Sequence, residues 1–232
     1  MSKAEFDRFI AEHRRRNAPF EAALAKRPLP DLQSVRDAFE AHRHVLQILT
    51  NQTGGTSWQH AVPSRVRADA AYDLAIRGKP QKALRQLEDL VAWLKRNPGV
   101  SDGRATADGF YRIATPVTPA TIYAGAGAIG YLIDDATAAH YYALSHAESG
   151  KDAQVALMLA ALLLRLGLRD DARRVIGPLI ALNRADVERA EADRKNYAGR
   201  GPLEVYDDAR RDLREAEQLL ARAMGESETA PA

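Results

Sequence analysis

Six consecutive residues, Gly125-Ala126-Gly127-Ala128-Ile129-Gly130, satisfy the spacing G-x-G-x-x-G. Between a strand and a helix, such glycines permit a tight turn, let a pyrophosphate approach the backbone and let the helix pack closely on the strand. Glu148 follows Gly130 by 18 residues, near where a ribose-binding acid would fall. The surroundings do not supply the rest of that fold. Pro116 and Pro119 interrupt the strand that should lead into Gly125, and the segments downstream read as long helices. The motif is therefore read as a buried helix whose glycines admit a close neighbour.

Tyrosines concentrate in the same region: Tyr111, Tyr123, Tyr131, Tyr141 and Tyr142 fall between positions 111 and 142. On a helix over 119–133, Tyr123, Gly127 and Tyr131 stand at i, i+4 and i+8 on one face. Two rings would then flank a notch without a side chain, and with Tyr142 nearby this could form a small-molecule slot. On that expectation Gly127→Leu blocks binding and leaves the helical signal intact. The competing expectation is that the rings only fill the seam between the two halves of the chain.

The remaining chemistry is sparse. There is no Cys, so thiolate metal sites, disulfides and cysteine nucleophiles are excluded. His42 and His44 are two apart on an expected helix and point to different faces, while His140 and His146 lack a chelating spacing. No H-E-x-x-H or G-x-S-x-G arrangement is present, although Ser145 and His146 are adjacent. Asp134, Asp135, Asp170 and Asp171 suit helix starts, where negative charge meets the positive end of the dipole. Arg14, Arg15 and Arg16 read as a solvated helix end, and Arg210, Arg211 and Arg214 among acids as an ion-paired outer face. The sequence calls for no metal and no cofactor.

Charge is balanced, at +2 for 232 residues, but uneven. Residues 1–120 hold 19 Lys+Arg against 13 Asp+Glu, and 121–232 hold 14 against 18. A nucleic-acid binder concentrates more positive charge than this, which argues against that partner. The N-terminal segment alternates charges without an apolar run, unlike a secretory signal, so a cytoplasmic location is expected. The uncharged stretch from Ile113 to Ile133 is long enough to span a bilayer. Pro116, Pro119 and three glycines make it a better buried segment than a membrane helix.

The elements that must position these residues are helical. Ser2 and Glu5 form a capping-box pattern ahead of a helix expected to end near Arg16. Pro28 and Pro30 break the chain, and Asp31 or Ser34 can cap the next helix, which should run toward Gly54. Pro63 opens a third helix to about Arg77, Gly78-Lys79-Pro80 makes a turn, and a fourth helix ends at Asn97-Pro98-Gly99. A loop is expected over 101–118, dividing an N-terminal helical region (1–100) from a C-terminal one (119–224), with a disordered tail over 225–232. In the second region helices are expected over 119–133, 136–148, 152–167, 169–198, with a break near Gly177-Pro178, and 202–224. A strand over 111–123 is the sole β candidate. The fold class is all-α, an irregular array of helical hairpins or a helical bundle.

Two segments match at an offset of 89 residues: Ala71, Leu74, Gly78, Ala83, Leu87 and Leu90 against Ala160, Leu163, Gly167, Ala172, Ile176 and Leu179. Small residues let antiparallel helices approach, glycine allows the turn, and the large residues fill the seam. This order resembles the tetratricopeptide repeat. The resemblance implies a scaffold that binds a peptide or protein on the face of each first helix, through Arg65 and Tyr72 in the first hairpin. The equivalent positions in the second are Gln154 and Ala161, with apolar Leu157 and Leu164 beside them. The resulting expectation is a non-catalytic interaction module, an adaptor or assembly component that binds a protein partner or itself. The alternative is an enzyme or sensor with a small-molecule pocket over 111–142.

Overall fold

The computed structural model describes residues 2–45, 63–97, 118–150, 152–196 and 203–225. Among the described residues there are nine helices and no strand: α1 (Lys3–Lys26), α2 (Gln33–Val45), α3 (Pro63–Ile76), α4 (Pro80–Arg96), α5 (Pro119–Gly130), α6 (Asp135–Ser149), α7 (Ala153–Arg165), α8 (Arg169–Asn196) and α9 (Leu203–Met224). The fold is all-α. Residues 119–123 of the strand candidate lie in α5, and 111–117 fall outside the described residues. No helix among the described residues is long and apolar enough to cross a membrane.

Residues 1–28 and 41–148 form one compact unit, and 29–40 with 149–232 form a second. Helix α2 is shared, its first eight residues grouping with the second unit. Helices α5 and α6 group with the first unit, within whose span the loop expected over 101–118 also falls, largely outside the described residues. The tail beyond Gly225 lies outside them too.

Helix α1 begins as its sequence prescribes. The Ser2 amide donates to Glu5 Oε2 at 2.6 Å and the Glu5 amide to Ser2 Oγ at 3.2 Å. It does not stop at Arg16 but continues to Lys26 through Pro19. A proline inside a helix costs about 3 kcal/mol, and burial on either side of it opposes that cost. Asn17 is nearly buried, and Phe20 is fully buried and stacked on Tyr72 of α3 at 5.8 Å. The break expected at Gly177-Pro178 is likewise absent, because Ile176, Leu179 and Ile180 anchor α8 on both sides of it.

In the first unit α4 is strongly amphipathic. Ala83, Leu84, Leu87, Leu90, Val91 and Leu94 are buried at helical spacing against α3 and α5. In the second, α7, α8 and α9 pack on one another, with Val155 to Leu162 of α7 buried throughout. The expected caps of α2 are replaced by a carboxylate from α9. Glu215 accepts from the Gln33 and Ser34 amides at 3.1 and 2.7 Å, and the Ser34 hydroxyl donates to Asp212 at 2.6 Å.

The α3–α4 and α7–α8 hairpins turn in the same way. Gly78 and Gly167 take φ of 77° and 75°, the left-handed region that a residue with a Cβ avoids. The Lys79 amide donates to Leu74 O at 3.0 Å and the Gly78 amide to Ala75 O at 3.0 Å. The matching bonds, Leu168 to Leu163 O at 2.9 Å and Gly167 to Leu164 O at 3.0 Å, lie 89 residues further on. Each pair forms a Schellman motif, which satisfies the last free carbonyls of the first helix. Ala71, Ala83, Ala160 and Ala172 are all buried in these helices.

Candidate functional site

The glycine- and tyrosine-rich segment is the place where sequence chemistry concentrates, and local signals build it. Thr118 caps α5 through a reciprocal pair: its Oγ1 accepts from the Thr121 amide at 3.1 Å, and its own amide donates to Thr121 Oγ1 at 2.8 Å. Pro119 occupies the first helical position, where no amide is needed. Gly125 therefore lies midway along a helix and follows no strand, so the three glycines do not form a dinucleotide-binding turn. Asp134 Oδ1 accepts from the Thr137 amide at 2.6 Å and caps α6. That bond is the main cause holding the Asp134 carboxyl below its usual range.

The glycines bring α6 close. A Cβ on Gly130 would stand 3.0 Å from the Ala138 backbone, and one on Gly127 would stand 2.7 Å from ring carbons of Tyr142. The notch expected between Tyr123 and Tyr131 is thus filled by Tyr142, and the slot is closed at that point. The Tyr142 ring is fully buried, its hydroxyl lies 3.3 Å from His42 Nδ1, and burial pushes its phenol well up. Tyr131 is also buried. The Arg27 guanidinium lies 4.9 Å from its ring centre and pairs with Asp135 at 3.2 Å, while the Tyr131 hydroxyl donates to the Arg27 carbonyl. Tyr123 is half-buried, 6.5 Å from the ring of Tyr141.

Tyr141 donates to Glu88 Oε1 at 2.6 Å, and burial followed by this bond pushes its phenol up. Lys95 pairs with Glu148, so the acid that a dinucleotide reading places at a ribose is held by a lysine of α4. Both bonds tie α4 to α6 with the same separation of 53 residues, which sets the two helices parallel.

The two residues that the repeat resemblance assigns to a partner are placed differently. Tyr72 is covered by α1: Phe20 stacks on its ring, the Arg16 guanidinium lies 5.9 Å from the ring centre, and its hydroxyl donates to Arg16 O at 3.4 Å. Arg65 falls in α3, but its side chain lies outside the described residues. In the second hairpin Leu157 and Ala161 are buried, Leu164 is half-buried and Gln154 is exposed.

Three features are not evident from the sequence. Arg16 is not a solvated end but bridges Asp73 at 3.0 Å and Asp69 at 3.7 Å, and burial pushes the Asp69 carboxyl up. Glu215 is a cap rather than part of an outer face. Leu166, Leu168 and Met224 remain exposed, at 38, 45 and 53%. The α7–α8 turn lies beside the end of α9, since Arg173 donates to Ala223 O at 3.0 and 3.2 Å. The exposed Leu residues beside Gly167 were the available signal for this last feature. Among the described residues no group of His, Asp or Glu is arranged to hold a metal ion. No family model matches the chain, and comparison with curated proteins and with solved structures yields no match.

Proposed function

We propose that this chain is a non-catalytic helical interaction module, an adaptor or assembly component that binds a protein partner or a second copy through its helical faces. The observation that supports this reading is the apolar end of the second unit, where Leu166, Leu168 and Met224 are exposed at the α7–α8 turn and the adjoining end of α9. Each side chain is already about half covered, so burying the rest against a partner would contribute about 1 kcal/mol apiece. Several of the charged groups serve as ties between elements. Arg16, Arg27, Glu88, Lys95, Glu148 and Glu215 all join one helix to another. The pocket reading, with Tyr123, Gly127, Tyr131 and Tyr142 around a slot, loses its opening to the Tyr142 ring.

The test is native mass spectrometry of the purified chain, with light scattering to fix mass in solution. An oligomer or a retained protein, weakened by Leu168→Asp with Met224→Asp, supports the module. A monomer that retains a nucleotide or another small molecule overturns it.

A further inference from the structure

The outer face of α4 carries a feature that the apolar end does not explain. Gly78, Lys79, Gln81, Lys82, Arg85, Gln86 and Asp89 line an open depression of about 620 Å³. Lys79, Lys82 and Arg85 are exposed, and among the described residues no carboxylate lies within ion-pair distance of any of them. Other exposed cations, Arg14 and Arg214 among them, also lack an ion pair among the described residues, but Lys79, Lys82 and Arg85 follow one another at three-residue steps around a single depression. The first turn of α4 contains no acid, and the opposite side of the helix is its buried seam.

We propose that this depression docks an acidic segment of a protein partner, with carboxylates set against Lys79, Lys82 and Arg85. The proposal rests on the interaction-module reading and names the partner's chemistry at one face. The three cations span about 9 Å along the helix axis at 1.5 Å per residue. An extended chain covers that length in about three residues, so a short run of carboxylates suffices. Gln81 and Gln86 offer amides to the segment's backbone. Asp89 closes one end and disfavours a further acid there, which gives the segment a direction. An acidic peptide fits better than nucleic acid: three cations bounded by an acid form a short patch, whereas a phosphate backbone presents a continuous line of charge.

The probe is a fluorescein-labelled octapeptide with four consecutive Glu between Gly-Ser ends, titrated with full-length protein and read by fluorescence anisotropy. A Gln-for-Glu peptide is the control. Binding of the Glu peptide is expected, falling at least about tenfold when salt rises from about 20 to about 200 mM. Lys82→Glu with Arg85→Glu should weaken it by about tenfold or more, and Lys82→Ala with Arg85→Ala by less, whereas Arg174→Glu with Arg189→Glu should leave it unchanged. Equal binding of the two peptides, or equal loss in the Arg174/Arg189 variant, overturns the proposal. So does tighter binding of a single-stranded oligonucleotide than of the Glu peptide. If the peptide fails while the purified chain still shows an oligomer or protein partner, the α4 proposal falls and the module reading stands. If neither is seen, both fall.

Discussion

The closure of the Gly127 notch predicts an unusual response to the smallest possible substitution. In an open helix interior Gly→Ala stabilises by about 1 kcal/mol, because alanine loses less backbone entropy. At Gly127 the added carbon would lie 2.7 Å from Cδ2 and Cε2 of Tyr142 and 2.9 Å from Cγ, where ordinary contact begins at 3.4 Å. The ring must therefore retreat, by 0.7 Å to regain ordinary contact. It is fully buried, and its hydroxyl lies against His42. Overpacking of this kind costs about 1–3 kcal/mol, and the broadside approach to three ring atoms places Gly127 in the upper part of that range. After the propensity gain, Gly127→Ala should destabilise by about 1–2 kcal/mol and lower Tm by roughly 2–8 °C for a chain of this size.

The discriminating measurement is a double-mutant cycle with Tyr142→Leu, read by urea and thermal unfolding under far-UV circular dichroism. Tyr142→Leu alone should destabilise, since it empties the space over Gly127. In that background Gly127→Ala should become neutral or stabilising, by up to about 1 kcal/mol. Stabilisation by Gly127→Ala in the parent protein, or the same effect in both backgrounds, would refute the packing of Tyr142 on Gly127. Gly127→Leu, expected from sequence to leave the helical signal intact, should lower stability further than alanine does.

Five other substitutions test the remaining ties. Gly78→Ala and Gly167→Ala meet no neighbour within 4 Å but force a Cβ into the left-handed region, so each should cost about 1–2 kcal/mol in urea unfolding, by similar amounts. Arg16→Ala should cost about 1–2 kcal/mol by leaving half-buried Asp69 without its cation and Asp73 with only Arg77 at 3.9 Å, more than Arg15→Ala at its exposed pair. That deficit should narrow as pH falls through the raised Asp69 pKa, since protonation removes the unpaired charge. Asp134→Ala should cost about 1 kcal/mol at neutral pH. The folded pKa of Asp134 is depressed, so its contribution is present above the unfolded value near 3.8 and is lost as pH falls through the folded one; parent and variant should converge there, with Asp134→Asn retaining most of the cap. Glu215→Ala should cost about 1–3 kcal/mol, because it strips two amides of their acceptor, and slower amide exchange at Gln33 and Ser34 in the variant would contradict it.

Local signals were the legible part of the sequence. Ser2 with Glu5, Thr118 with Pro119, and Gly78 before Pro80 each act within four residues, and each marks a helix boundary in the structure. What failed depends on groups far along the chain. Pro178 reads as a break, and α1 as ending near Arg16, because the residues that hold these helices together, Ile180 and Phe20 among others, are identified only by burial. Glu215 lies more than 180 residues from the amides it caps, and Arg16 more than 50 from the acids it bridges. No spacing rule reaches such pairs. The candidate slot is a subtler case. Spacing sets Tyr123, Gly127 and Tyr131 on one helical face, but the facing helix, which brings Tyr142 onto Gly127, is missing from that reading.

That omission could have been repaired from the hairpin itself. Helix α5 ends at Gly130 and α6 starts at Asp135, so residues must pair outward from the intervening turn in antiparallel register. Gly130 lies against Ala138, Gly127 against Tyr142, and the Ala120 carbonyl accepts from Ser145 Oγ at 2.8 Å. Moving back along α5 means moving forward along α6. From the Gly130–Ala138 contact, three residues back to Gly127 carry the pairing forward to within one residue of Tyr142, and a residue without a Cβ facing an aromatic ring is a packing complement before it is a vacancy. A glycine at helical spacing between rings thus defines a slot only after the facing helix has been placed, and here that helix sets Tyr142 over it.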